Sequence, residues 1–133
     1  MRLVFTPQFV DPILSGTKIH TIRKNSDDEY QAGTSLEMLC EQETAQPFTF
    51  WNDHCRHTQS IEIKYPADFK VGQSLTAVIV KIDNVHLTLT KVAGLAQNDG
   101  FPSMAEFFDY FSEDYKGDII HWTDYEYSPS FNL

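Results

Sequence analysis

The chain has 133 residues, of which 41% are hydrophobic and 14% aromatic, and it carries a formal net charge of −9. This length and apolar content predict a single globular domain over residues 1–133 and exclude a disordered chain. The acidic balance is wrong for a protein that coats extended duplex DNA, because binding along phosphates requires many Lys and Arg side chains. No apolar run reaches the roughly 20 residues of a membrane helix, so we expect a cytoplasmic protein with no membrane partner.

The first sixteen residues predict a strand, a short helix and a turn. Residues 3–5 are apolar and favour a short strand, and residues 7–14 place Phe9, Ile13 and Leu14 on one side of a short helix. Gly16 is suited to end this helix, because glycine tolerates the left-handed backbone of a C-cap.

The segment from residue 16 to residue 24 concentrates two lysines, an arginine and a histidine on an otherwise acidic chain. Its middle is β-branched apart from His20, which favours a strand. In a strand, Thr21 and Arg23 share one face, and Lys18 joins them only if it lies in the preceding turn or on a bulge. Two interpretations stay open, namely an edge strand with solvated charges or the wall of a ligand site.

The middle of the chain predicts strands separated by polar turns. A turn at Gly33 leads into a strand that ends near Cys40, and residues 49–57 and 60–65 predict two more strands. The segment 41–68 that contains them is interpreted as a hairpin or an insertion. Residues 75–90 form the longest β-type run, in which Asp83-Asn84 is either a hairpin turn or a bulge.

The last third of the chain predicts two helices and a final strand. Ser103 is a suitable N-cap with Glu106 three residues later, and the aromatic stripe that follows should pack against the rest of the fold. The other predicted elements are a helix at 91–97, a turn at 98–100, a strand at 118–127 and a loose tail at 128–133. Many short strands with two or three small helices predict an α+β fold, mostly β, arranged as a compact barrel.

Three stretches of the sequence resemble the ASCH domain family, which has a PUA-like fold. Residues 15–18 (Ser-Gly-Thr-Lys) and 21–23 (Thr-Ile-Arg) resemble its G-x-K-x-x-T-x-R signature. Residues 95–101 and 107–111 resemble its acidic-Gly-Phe segment and the helix after it. The likeness extends from about residue 5 to residue 127. It implies a PUA-like β-barrel that is closed or nearly closed, and binding of RNA or of a small nucleoside or nucleotide.

The resemblance also implies an enzyme as the second interpretation. The family includes small amidohydrolases that remove an acyl group from the N4 amino group of cytidine with a lysine, a threonine and an acidic residue. Lys18 and Thr21 match the first two positions, and Asp99 stands where those enzymes have a glutamate. A desolvated lysine can act as the base that activates a threonine hydroxyl. Alternatively, Asp99 caps a turn beside Gly100, and the other two residues hold a phosphate or line a groove.

Arg23 is the residue best suited to bind a ligand, because its planar guanidinium can hold a phosphate or carboxylate through two hydrogen bonds. The competing interpretation is an ion pair with the acids at 27–29. The predicted ligand-binding set is completed by residues of the same segment and by two aromatic stacking candidates, for which core packing is the alternative: Gly16, Lys18, His20, Trp51 and Trp122.

No metal or cofactor is expected. His54, Cys55 and His57 give a His-Cys-x-His pattern, which has too few ligands for a zinc site. Two cysteines do not make a disulfide framework, so reduced thiols are expected. The leading interpretation is therefore a monomer or weak dimer that binds RNA or a nucleoside-like ligand. The alternatives are the amidohydrolase, a ribonuclease, or an adaptor with a vestigial cleft.

Overall fold

The computed structural model describes residues 1–24, 31–70 and 72–128. Its strands are β1 (Arg2–Phe5), β2 (His20–Lys24), β3 (Ser35–Cys40), β4 (Phe48–His54), β5 (His57–Lys64), β6 (Ile79–Ile82), β7 (Val85–His86) and β8 (Tyr115–His121). Its α-helices are α1 (Val10–Ser15), α2 (Leu89–Asn98) and α3 (Met104–Tyr110), and 3₁₀ helices cover Pro7–Phe9 and Leu75–Ala77. The predicted α+β class with mostly strands is confirmed. In these ranges no helix has the length and apolar character needed to span a membrane.

The strands form two sheets. The smaller has the order β1-β3-β4, with β1 parallel to β3 and β3 antiparallel to β4. The larger has the order β2-β8-β5-β6-β7, and all its pairs are antiparallel. Neither sheet closes on itself within the described ranges, so the predicted closure into a barrel is not confirmed.

One cluster of buried apolar side chains joins the two sheets and the helices. Leu3 and Leu36 contribute from the smaller sheet, and Ile61 and Ile119 from the larger. Helix α3 covers this cluster, because its aromatic stripe is buried, as predicted, at Phe107, Phe108 and Phe111.

The segment 41–68 does not fold back on itself as a hairpin. β4 pairs with β3, whereas β5 pairs with β6 and β8, so the segment gives one strand to each sheet. The chain changes sheets at two residues. The amide of Cys55 donates to Thr34 O at 2.7 Å, beside β3, and the amide of Arg56 donates to His121 O at 2.7 Å, at the end of β8.

The predicted β run at 75–90 is shorter in the structure, because Ser and Thr caps start helices at both ends. Ser74 caps the 3₁₀ helix through the Thr76 amide, and Thr88 caps α2. Between them, β6 and β7 form a hairpin whose turn has positive φ at Asp83 (50°) and Asn84 (66°), so the turn interpretation is confirmed over the bulge.

The last third of the chain follows the prediction in part. Ser103 caps α3 as predicted, since its hydroxyl accepts from the amide of Glu106 at 3.2 Å. The final strand lies a few residues earlier than predicted, at Tyr115–His121. The predicted tail lies outside the described residues except for Ser128.

β2 is held at the edge of its sheet by a close approach of backbones. A Cβ on Gly117 would lie 2.3 Å from Arg23 O, so any side chain there would separate β2 from β8.

We expect Gly117→Ala to lower the free energy of unfolding by about 1–3 kcal/mol, the usual scale of overpacking, measured by urea denaturation.

Gly94 provides the matched control in the interior of α2, where a Cβ would meet nothing within 4 Å. Gly94→Ala should raise stability by about 0.5–1 kcal/mol, because alanine favours the helix. Equal effects of the two substitutions would contradict the close approach at Gly117.

Candidate functional site

Lys18 is buried although it lies outside any strand. Gly16 ends α1 with a φ of 82°, and the amide of Lys18 then donates to Pro12 O at 2.9 Å. The next amide, of Ile19, donates to Asn98 O at 2.9 Å. Lys18 therefore lies in the turn before β2, which is one of the two positions predicted to let it share a face with Thr21 and Arg23. Its backbone is fixed between the C-terminal ends of α1 and α2.

Asp99 is the partner of Lys18. The Lys18 Nζ donates to the Asp99 carbonyl oxygen at 2.6 Å and to Asp99 Oδ1 at 3.1 Å, and each residue is only 2% exposed. Asp99 is the C-cap of α2, where a cation is favoured by the helix dipole. Burial lowers the pKa of Lys18 below its usual value, and the negative charge of Asp99 opposes this shift without cancelling it.

A cavity of about 170 Å³ brings the main predicted residues together. Lys18, Thr21, Arg23 and Asp99 all line it. The aromatic part of its wall consists of Phe5, Phe9, Phe101, Tyr110 and Phe111. The cavity therefore combines the Thr6 and Thr21 hydroxyls, two basic groups and the Glu41 and Asp99 carboxyl groups within largely aromatic surroundings, where electrostatic interactions are stronger than in water.

The Thr21 hydroxyl forms no hydrogen bond among the described residues, to Lys18 or to any other. Lys18 and Asp99 are thus within hydrogen-bond reach of each other, whereas Thr21 only shares their cavity. Catalytic hydrogen bonds are often long in a ligand-free site and shorten when substrate binds.

Arg23 lines the same cavity with part of its guanidinium unused. Its Nη2 donates to Val4 O at 3.2 Å, and the group lies 4.9 Å from the centre of the Phe5 ring. Its Nε is buried and has no hydrogen-bond partner in the described part of the chain. The ion pair predicted with the acids at 27–29 lies outside the described residues.

His20 does not line the cavity but lies behind Asp99. Its Nδ1 is 3.1 Å from Asp99 Oδ1, and its Nε2 is 2.7 Å from the Tyr127 hydroxyl, which also accepts from Asn98 Nδ2 at 3.1 Å. The ring is fully buried, and burial lowers its pKa. The sequence predicted His20 as a ligand contact, and no local pattern connects it with Tyr127, 107 positions away.

Two further histidines extend this buried polar layer. The rings of His57 and His121 are stacked with centroids 4.2 Å apart, and His121 Nε2 donates to Gln59 Oε1 at 3.1 Å. Burial, with His20 and His57 beside it, lowers the pKa of His121 to about 3. Among the described residues, no three His, Cys, Asp or Glu side chains are arranged to hold a metal.

Besides His20, three more of the predicted ligand-binding residues lie away from the cavity. Gly16 serves as the C-cap of α1. Trp122 is buried in the hydrophobic core, so its stacking role is wrong and the core alternative is confirmed. Trp51 is 47% exposed on β4, where its Nε1 donates to Asp53 Oδ2 at 3.3 Å, so for this residue the core alternative is wrong.

A second cavity, of about 540 Å³, adjoins the first. Phe101 and Tyr110 line both, and Gly100 lies in the wall of the larger one. The residues in its wall that carry a charge at neutral pH are Glu106 and Asp109, so it is acidic. The small cavity thus shares two aromatic residues with this larger acidic one. It also shares Ile22, Arg23, Tyr110 and Phe111 with a cavity of about 430 Å³ whose wall includes Lys24.

Comparison of the chain with protein-family models, with curated proteins and with solved structures found no match in any of the three. The resemblance to ASCH domains therefore stays a prediction that depends on the motif residues.

Gly100 gives Lys18 the room it needs. A Cβ there would lie 2.9 Å from Lys18 Cδ, and the backbone φ is 91°. Gly33 has nearly the same φ, 92°, but open space around it. Both Gly→Ala substitutions should cost about 1–2 kcal/mol for the backbone, and Gly100→Ala should cost about 1–3 kcal/mol more for the clash. Chemical denaturation measures the difference, and equal losses would contradict the contact with Lys18.

The buried His121 should make stability depend on pH. Its pKa is about 3 when folded, against 6.5 for an ordinary histidine, so at intermediate pH the unfolded chain binds the extra proton and folding is weakened. We expect a loss of about 1 kcal/mol from this residue between pH 7 and pH 5.5, and the loss should be absent in His121→Gln. His86→Gln, at an exposed position on β7, is the control. A wild-type-like slope in His121→Gln would refute this prediction.

Proposed function

We propose that this protein is an amidohydrolase that removes the acyl group from an N4-acylated cytidine-type nucleoside, and that its fold is the PUA-like fold of ASCH domains. The observation that carries the proposal is the buried Lys18, paired with Asp99, in the same cavity as the Thr21 hydroxyl. A lysine that merely binds phosphate needs no such burial, whereas a lysine that acts as a base requires a lowered pKa.

In the proposed reaction, the fraction of Lys18 that its lowered pKa leaves neutral takes the proton of the Thr21 hydroxyl as the hydroxyl oxygen attacks the acyl carbonyl carbon. Two Lys18 N–H groups are oriented by the Asp99 carbonyl and carboxylate oxygens, which leaves the amine lone pair for Thr21. The C–N bond then breaks, and the proton passes from Lys18 to the departing N4 nitrogen.

Water completes the cycle by cleaving the acyl ester on Thr21. It gives one proton to Lys18 and its oxygen to the acyl carbon, and the Thr21 hydroxyl is regenerated with that proton. The net reaction is an amide and water giving a carboxylic acid and an amine. Arg23 lines the cavity as the cation that can stabilise the negative oxygen of the tetrahedral intermediates.

The dimensions of the site favour a small substrate over RNA. The two cavities, of about 170 and 540 Å³, have the size of sites for small molecules. Glu106 and Asp109 line the larger one and would repel a phosphate backbone. Sugar hydroxyls, in contrast, can donate hydrogen bonds to carboxylates.

The second candidate function is binding of RNA or a nucleoside without hydrolysis. It is favoured by Arg23, which lines the cavity and whose Nε has no hydrogen-bond partner in the described part of the chain. With few basic groups at the cavity, RNA binding would be weak and would fall steeply with salt concentration.

Incubation with N4-acetylcytidine, with cytidine release followed by chromatography, tests the proposal. We expect wild-type turnover and a loss of about 10⁴-fold or more in Thr21→Val, since residues that act as one catalytic unit each abolish the reaction. The Thr21 hydroxyl has no hydrogen bond among the described residues, so this variant should fold normally. Thr17→Val, which removes an exposed hydroxyl from the same segment, is the control.

Lys18→Met should be equally inactive, but it leaves Asp99 buried without its cation and should lose about 3–5 kcal/mol of stability.

Binding of N4-acetylcytidine without turnover would refute the hydrolase and support the second candidate. In that case Arg23→Ala should weaken binding by about 1.5–3 kcal/mol, with a smaller effect of Thr21→Val.

A further inference from the structure

We infer that His20 is a positioning residue, which donates its Nδ1–H to Asp99 and is itself held in that tautomer by the Tyr127 hydroxyl. The inference rests on the proposed function, in which Asp99 orients Lys18. It adds a group that touches neither the cavity nor a substrate.

The hydrogen-bond directions follow from the chemistry of each group. A carboxylate oxygen only accepts, so His20 Nδ1, 3.1 Å from Asp99 Oδ1, must be the donor. In a neutral ring the other nitrogen then accepts, and Tyr127 donates its hydroxyl proton to Nε2 at 2.7 Å. Asn98 Nδ2 donates to the same hydroxyl oxygen at 3.1 Å. Every bond in this chain runs toward Asp99.

The neutral ring is the form that the surroundings favour. His20 is completely buried, and burial lowers its pKa despite the neighbouring Asp99. The other ionisable groups near it are Lys18 and the neutral His121 ring, whose centroid is 5.2 Å away. The pKa of Tyr127 is raised by burial, so its hydroxyl keeps the proton that it donates.

Tyr127 is fixed although it lies in no strand. The Gln59 side chain accepts from the Tyr127 amide through Oε1 and donates to the Tyr127 carbonyl oxygen through Nε2, both at 2.9 Å. Gln59 Nε2 also donates to Asp83 Oδ2 at 2.8 Å. These bonds fix the backbone of Tyr127, from which its hydroxyl reaches His20 Nε2.

The consequence for catalysis concerns one oxygen. His20 and Lys18 both donate to Asp99 Oδ1 at 3.1 Å, so His20 takes part of the negative charge that would otherwise stabilise protonated Lys18. It also fixes the rotation of the carboxylate. Without the His20 donor, Lys18 should hold its proton more strongly and should be a poorer base at neutral pH.

Two substitutions separate the two ring nitrogens. His20→Asn keeps an amide N–H near the position of Nδ1, whereas His20→Gln keeps one near Nε2. We expect His20→Asn to retain kcat with N4-acetylcytidine within about tenfold. His20→Gln should lose about 10–100-fold in kcat with little change in KM, the scale seen for outer hydrogen-bond partners, and the acid limb of its kcat/KM profile should move to higher pH.

A second measurement needs no substrate. Long-range ¹H–¹⁵N spectra of the labelled wild-type protein should show His20 protonated at Nδ1 only, and Tyr127→Phe should raise the fraction protonated at Nε2. A wild-type ring protonated at Nε2, or at both nitrogens, overturns the inference. If neither His20 variant folds, the spectra alone test which ring nitrogen of His20 carries the proton.

The outcomes distinguish this inference from the function on which it rests. If wild-type protein does not release cytidine, the proposed function fails, and the spectra still test the hydrogen-bond directions. If wild-type protein is active but the Asn and Gln variants behave alike in kcat and in pH profile, the positioning role fails and the function stands.

Discussion

The buried ion pair between Lys18 and Asp99 is the interaction on which the rest of the structure depends. Removing a charge from water costs several kcal/mol, and attraction between two charges repays that cost only with good geometry and further hydrogen bonds. Here the Asp99 carbonyl oxygen supplies a second acceptor for Lys18, and His20 supplies a second donor for Asp99. Each charge is thus compensated more than once, and removing any partner leaves the others buried and unsatisfied.

Several features of the surrounding structure are required if this pair is to be buried. Two helix C-termini must meet, since the backbone of Lys18 is fixed to α1 and its amine to the end of α2. A residue without Cβ must stand at position 100, and aromatic rings must exclude water, with Lys18 Nζ 4.8 Å from the centre of the Phe9 ring. The lowered pKa of Lys18 and the free-energy cost of breaking the pair therefore have the same structural source, because both follow from burial.

What could be predicted from the sequence was what a few neighbouring residues determine. The Gly16 cap, the strand at β2, the Ser103 cap and the buried stripe of α3 are local patterns. The contacts that assemble the site are not local. The periodicity of the sequence predicts neither the parallel pairing of β1 with β3 nor the hydrogen bond between Tyr127 and His20. Asp99 was placed near Lys18 only through the family resemblance. The tryptophans show the same limit, since composition marks both as large apolar groups while packing leaves one exposed and buries the other.

The position of β8 in its sheet has a consequence for how the protein is made. Among the described residues, β8 is the last strand along the chain, yet it lies between β2 and β5 and is the strand with which β2 pairs. At ribosomal rates of about 5–20 residues per second, the strand that begins at His20 emerges roughly 5–20 s before its partner. During that interval its apolar face has no cover and its edge has no partner, which is the state that chaperones recognise. Pairing across so long a separation also slows folding. The nascent chain thus passes through an interval in which β2, which carries Thr21 and Arg23, has no paired strand.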